Sequence, residues 1–183
     1  MGFQIEGSDG LVVSVIKTDG ENRLAVTSVV EAYDRYYNKQ GLVYSATYEG
    51  LTPTGANDYF FYFKNTGTKS VNFTDLRISS TVATRITIEK VSGTAVGGTT
   101  LVPISRNLGS SKSLSATTEQ GVDITGLTNG GVIFFQECPV ASTMYHLSTT
   151  SNIIIPQGQA IALKRVAATG AISFTVSLVE EVT

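Results

Sequence analysis

Residues Thr84 to Ser111 read TRITIEKVSGTAVGGTTLVPISRNLGSS, and this stretch decides the fold class. Ile86 and Ile88 alternate with Thr87 and Glu89, the two-residue period of a strand with one buried face. Gly93, Gly97 and Gly98 follow where the chain is expected to reverse, because glycine takes a positive φ without steric cost. A second extended segment then closes on Asn107-Leu108-Gly109.

The same vocabulary continues outward. Leu42 to Tyr48 is a strand followed by a turn at residues 51–55, and Asp58 to Lys64 carries Tyr59-Phe60-Phe61-Tyr62-Phe63. That run is apolar on both faces and predicts a central strand covered on both sides. Asn65 to Thr68 ends it in a hairpin-like turn. Ser70 to Ser79 keeps its phase only if a bulge falls near Asp75. Downstream, residues 110–120 form a polar loop. Val122 to Leu127 is a short strand ending at Asn129-Gly130-Gly131, and Gly131 to Phe135 is a second, densely apolar one. Tyr145 to Leu147 and Asn152 to Ile155 pair around the link at Thr149-Thr150-Ser151, and Ala160 to Val166 follows the turn at Pro156-Gln157-Gly158. The cleanest strand is the last, where Ile172, Phe174, Val176 and Leu178 alternate with Ser173, Thr175 and Ser177. The one place for a helix is Glu31 to Gln40, which has an i,i+4 pair in Glu31/Arg35 and a partial apolar face of Tyr33, Tyr36 and Tyr37; a run this short reads equally as a single turn or loop. Eight to ten short strands with regular turn signals and no strand–helix–strand rhythm predict an all-β antiparallel sandwich, jelly-roll-like.

Composition agrees. The 183 residues include 42 Ser and Thr and 18 Gly against 13 Lys+Arg and 15 Asp+Glu, a hydroxyl-rich chain suited to strands and turns. A net charge of -2 gives no electrostatic footprint for nucleic acid. No apolar run approaches the ~20 residues of a membrane helix. Residues 1–10 show no basic region followed by an apolar stretch, so the expectation is synthesis in a cytoplasm without export. The single cysteine, Cys138, cannot build an internal disulfide or a cysteine-based zinc site and is read as a small apolar residue.

Catalytic constellations are equally sparse. His146 is the only histidine, and no G-x-S-x-G elbow accompanies it. Residues 93–98 lack the Gly-Lys-Ser/Thr of a phosphate loop and open no helix. Glu137, Glu180 and Glu181 are scattered or terminal rather than paired for hydrolysis. The expectation is a protein that is not an enzyme and uses no cofactor or metal.

Before Leu42, residues Leu11 to Ile16 and Asn22 to Val26 are extended pieces flanking the turn signal Thr18-Asp19-Gly20. They read either as core strands or as an arm lying on a neighbouring subunit. The second reading divides the chain into an N-terminal extended arm, residues 1–28, and a β-sandwich domain, residues 29–183. The arm's candidate interface residues are Leu11, Val13, Val15, Arg23, Leu24 and Val26, since extended backbone can add a strand to a neighbour's sheet edge.

Several of these pieces resemble β-rich virion structural proteins of tailed bacteriophages. The organising stretch does so, as do Thr18 to Val26, the Tyr62-Phe63-Lys64-Asn65-Thr66-Gly67 hairpin and Asn152 to Leu163. The resemblance is to capsid decoration and head-fibre proteins. It implies a virion component that binds the lattice of a major capsid protein, assembles as a homotrimer, and contacts neither nucleic acid nor membrane. A tail or baseplate component is the alternative within the same context. A carbohydrate-binding module using Tyr33, Tyr36, Tyr37 or Tyr145 is the alternative outside it.

Overall fold

The computed structural model describes residues 4–6, 12–18, 24–28, 33–166 and 170–182. Three N-terminal strands, β1 (Gln4–Glu6), β2 (Val12–Thr18) and β3 (Leu24–Ser28), pair antiparallel with one another in that order. Helix α1 (Tyr33–Lys39) decides the segment from Glu31 to Gln40 in favour of a helix. It ends on Gly41 at φ +71°, a left-handed stop that glycine accommodates best.

Eight principal strands follow: β4 (Val43–Leu51), β5 (Tyr59–Asn65), β6 (Val71–Ser80), β7 (Thr84–Val96), β10 (Ala116–Cys138), β11 (Met144–Ile155), β12 (Ala160–Arg165) and β13 (Ile172–Glu180). Two short strands, β8 (Thr99–Thr100) and β9 (Ile104–Ser105), interrupt the connection between β7 and β10. One sheet runs β11-β6-β13-β4-β9, and the other runs β5-β12-β7-β10-β8 with β5 also paired to β10. Counting only the principal strands, the first, third, sixth and eighth form one sheet and the second, fourth, fifth and seventh the other. That is jelly-roll topology, as the strand spacing predicts.

The core lies between the sheets. Alternate residues of β13 (Ile172, Phe174, Val176, Leu178) are buried there with Leu76 and Ile78 of β6 and Ile86 and Ile88 of β7. The Phe174 ring lies 5.4 Å from the centroids of both Phe60 and Phe61. Both of those neighbours can enter the same core because the β5–β12 register shifts between Leu163 and Lys164. The shift also turns Tyr59 to the opposite face, with Tyr62. A second irregularity, at the β13–β6 pairing between Ser177 and Leu178, falls opposite Thr74, where the bulge near Asp75 is expected.

Four expectations need correction. The polar loop expected over residues 110–120 stops short, since Ala116 to Gln120 open β10 with Thr118 and Gln120 buried. Gly93 does not turn the chain. It stands inside β7 at φ +100°, facing Gly126 across the β7–β10 pair, and a Cβ on Gly93 would come within 2.3 Å of the Gly126 carbonyl oxygen. Nor does the chain reverse at Gly97 and Gly98: β8 runs on along β10 in the same sense as β7, with Val96 opposite Thr125 and Thr99 opposite Gln120, and the reversal falls between β8 and β10. The two strands expected on either side of Asn129-Gly130-Gly131 are one 23-residue strand. The Asn129 Oδ1 accepts the Gly131 N–H at 2.6 Å and the register shifts there, so the segment bulges instead of reversing. Likewise, Tyr145 to Leu147 and Asn152 to Ile155 do not pair with each other but are parts of β11, which pairs with β6 on both sides of a register shift between Ser148 and Ile153.

The length of β10 shapes the molecule. Its first part, from Ala116 to Ile124, pairs with β5, whereas Thr125 to Cys138 pairs with β7. Since β5 and β7 lie on either side of β12, β10 crosses from one to the other over the outer face of the sheet. Ile124 is carried onto Tyr62, Val91, Ala160 and Ala162, with Leu127 alongside, as a second small core. From Gly131 onward the strand has β7 on one side and an open edge on the other among the described residues.

Candidate functional site

Three groups of residues could carry function, and each is set by the topology above. The first is a polar cluster on the outer face of the β5-β12-β7 sheet. The Glu89 carboxylate is fully buried. Its Oε1 is 2.6 Å from Lys164 Nζ and accepts a hydrogen bond from Thr87 Oγ1 at 2.8 Å, and its Oε2 accepts one from Tyr59 Oη at 2.7 Å. Burial by itself would raise the pKa of this carboxyl. The hydrogen bonds from Lys164, Tyr59 and Thr87, with the lysine's charge, outweigh it and hold the pKa below the ordinary value. Tyr59 is pushed well above the usual phenol range, by burial first and by Glu89 second.

The alternation of Ile86 and Ile88 with Thr87 and Glu89 predicts a solvated face for Glu89; the crossing of β10 covers that face instead. The clue in the sequence is Lys164, the one cation between the apolar run of β12 and Arg165, at the right period to meet it. Each carboxylate oxygen is engaged, and the group holds three adjacent strands together.

The second group is His146, Asp75 and Arg77, on neighbouring strands β11 and β6. The imidazole Nε2 meets the Asp75 carboxylate, and Arg77 Nε lies 3.4 Å from the same side chain. Among the described residues no hydroxyl completes a triad with the imidazole. The aspartate thus balances two basic groups on the sheet's outer face, beside hydroxyl pairs such as Thr47 and Thr175, whose Oγ1 atoms are 3.0 Å apart.

The third group is apolar and exposed, and it gathers at two opposite edges. At one edge, the segment joining β8 to β9 and the loop after it present Val102, Ile104 and Leu108, the last 95% exposed. This loop is anchored at its base: Asn107 Nδ2 donates to the Lys39 carbonyl at 3.3 Å, and Lys112 Nζ to the Gln40 carbonyl at 2.8 Å. A cation and an amide thus serve the carbonyls that α1 leaves open at its C-terminus. At the other edge lie Val132, Ile133, Phe134 and Phe135 of β10, with Ile154 of β11 close by. Ile133 and Ile153 to Ile155 line an apolar groove between the two sheet edges, of about 470 Å³. On the outer face, the Arg85 guanidinium lies 5.0 Å from the centre of the Phe135 ring and is held by Glu137.

No protein-family model, characterised protein or solved structure matches this chain. Function has to be read from these surfaces.

Among the arm residues singled out from sequence, Leu11 and Arg23 lie outside the described residues. Val13 and Val15 stand on β2, opposite Ser28 and Val26 of β3, and Leu24 stands opposite Thr18. Of the tyrosines, Tyr36 and Tyr37 meet edge to face at 5.4 Å. The Tyr145 hydroxyl accepts the Val140 N–H at 2.8 Å, which ties it to its own loop. Cys138 is buried in the main core, and its thiol is pushed up to about 11 by burial and by the charge of Glu137.

Proposed function

We propose that the chain is a non-enzymatic structural protein of a virion, a decoration protein that binds and stabilises the lattice of a major capsid protein. The observation carrying this reading is the gathering of exposed apolar side chains at two opposite edges, Val102/Ile104/Leu108 and Val132 to Phe135. A module that joins an array must touch more than one neighbour. Apolar surface rimmed by polar residues marks such contacts. Between these edges the outer face of the β13 sheet is a surface of hydroxyls around the locally paired Asp75, Arg77 and His146. The resemblance to virion proteins of tailed bacteriophages supports the reading. The jelly roll supports it by analogy alone, since capsid proteins and lectins share that fold.

The test is co-sedimentation of the purified chain with stripped heads and with separated tails of the virus that carries it. Saturable binding to heads is expected, weakened by Leu108→Asp and by removal of residues 1–28. Binding to tails alone would replace decoration with a tail or baseplate role. Binding to neither would overturn the virion reading.

A further inference from the structure

Residues 131–135 of β10, Gly-Val-Ile-Phe-Phe, have the composition of a central strand and the position of an edge strand. Strands apolar on both faces are normally covered on both faces and paired on both sides. Here Thr87 and Ile88 of β7 pair with Phe135 and Phe134 on one side, and the other side is open among the described residues. Val132 opposes Glu89 and Phe135 opposes Thr87, which puts both on the outer face. Phe134 opposes Ile88 and turns towards the inter-sheet side, where Ile133 lines the groove with Ile154. Both faces of this edge are apolar, and Phe135 is 56% exposed.

Edges that must stay single are protected by inward charges, by proline, by bulges or by a covering segment; this one has a register shift between Val132 and Phe134, which leaves Phe134 to Gln136 as its regular stretch. From Gly131 to Gln136 this edge has no charge, and Pro139 comes only after the strand has ended. We infer that the missing neighbour is a second copy of the same strand, so that two chains pair β10 to β10 antiparallel across a two-fold axis.

Three features favour a copy of this chain over an unrelated partner. A two-fold contact requires a surface complementary to itself. An uncharged apolar strand meets that condition, because pairing it with itself opposes no like charges. The sheet would continue from β7 and β10 of one chain into β10 and β7 of its partner, giving the open N–H and C=O groups of the regular stretch acceptors and donors. The area is also adequate. With large apolar side chains taken at ~150–250 Å² each, the exposed parts of Val132, Ile133, Phe134, Phe135 and Ile154 sum to roughly 400 Å². That is about half of the ~800 Å² a standard interface takes from each partner, and the backbone of the edge adds to it. This two-fold contact differs from the trimer implied by the virion resemblance, and it takes up one of the two edges on which the lattice reading rests, leaving the Val102/Ile104/Leu108 edge of each chain for other neighbours.

The test is sedimentation velocity on the full chain over a range of concentrations, with Phe135→Lys beside it. A dimer is expected that Phe135→Lys converts to monomer, while circular dichroism shows the fold retained. A second measurement needs no disruptive change. Single cysteines are placed in turn at residues 132 to 135 in a Cys138→Ala chain. In an antiparallel pair, opposed Cα atoms lie ~4.5–5.5 Å apart, within the ~4.4–6.8 Å that a disulfide spans. Mild oxidation is expected to give crosslinked dimer that peaks at one position. A monomer throughout, a trimeric mass, or a dimer indifferent to Phe135→Lys that yields no crosslink would overturn the inference. Lattice binding by a monomer would refute this contact and leave the proposed function standing; a dimer that binds no head would do the reverse.

Discussion

Replacing Lys164 by methionine removes the charge that, among the described residues, balances the buried Glu89 carboxylate, while keeping most of the side chain's volume. Tyr59 and Thr87 still donate to it, but an anion without a counterion now stands under the β10 crossing. Breaking a buried pair from one side costs about 3–5 kcal/mol. The Lys164 side chain is 17% exposed, so some of its charge is already shared with water and the low end, about 3 kcal/mol, applies. For a chain of this length that lowers Tm by roughly 6–12 °C.

The double variant Glu89→Gln/Lys164→Met keeps an acceptor for Tyr59 without any charge to bury. It should recover most of the loss, because a neutral replacement of both partners is often close to neutral in stability. Urea unfolding followed by circular dichroism measures these two variants and Glu89→Gln alone. The acid side supplies an independent check. The Glu89 pKa is lowered in the folded chain, so its contribution is present above the unfolded carboxylate pKa and fades as the pH falls through the folded value. Glu89→Gln should flatten that part of the profile. Single changes costing under ~1 kcal/mol, or a double variant equal to the sum of the singles, would refute the idea of a buried charge held by its partner.

Asn65 offers a second test. Its Nδ2 donates to the carbonyls of Ile155 and Lys69, each at 2.8 Å, and its Oδ1 accepts the Gly67 N–H at 3.0 Å. Asn65→Ala leaves these groups short of partners and should cost about 2–4 kcal/mol in chemical denaturation; a loss within ~0.5 kcal/mol would remove the side chain from this role. For Cys138, the raised pKa and full burial predict that a thiol reagent at mildly alkaline pH modifies the native chain only at the rate of unfolding. Fast modification of the folded chain would contradict its place in the core.

The strands that sequence locates well are those whose burial follows from local period alone. Ile172 to Leu178 alternates without interruption, and β13 takes up that alternation. Tyr59 to Phe63 is apolar on both faces and lies between two strands with cores above and below. What stayed illegible depends on distant chain. Asn129-Gly130-Gly131 carries a turn signal, and only pairing to β7, more than thirty residues earlier, shows that the glycines open a bulge. Glu89 looks solvated until β10 crosses its face. Val132 to Phe135 reads as a central strand because density of apolar residues measures how much cover a strand needs, not whether the same chain provides it. Loop 106–115 has no period to read, and its anchoring to the carbonyls of Lys39 and Gln40 comes from an end of the molecule some seventy residues upstream.

The position of β13 has a consequence for how the chain folds. It is the middle of its sheet, flanked by β6 and β4, which precede it by roughly a hundred residues or more of chain. Until β13 is in place, β4 and β6 have no common neighbour, and the core-facing side of their sheet is incomplete. Its insertion is a long-range event of the kind that slows folding and exposes aggregation-prone edges. Deleting β13 would therefore remove the centre of one sheet, not trim its border.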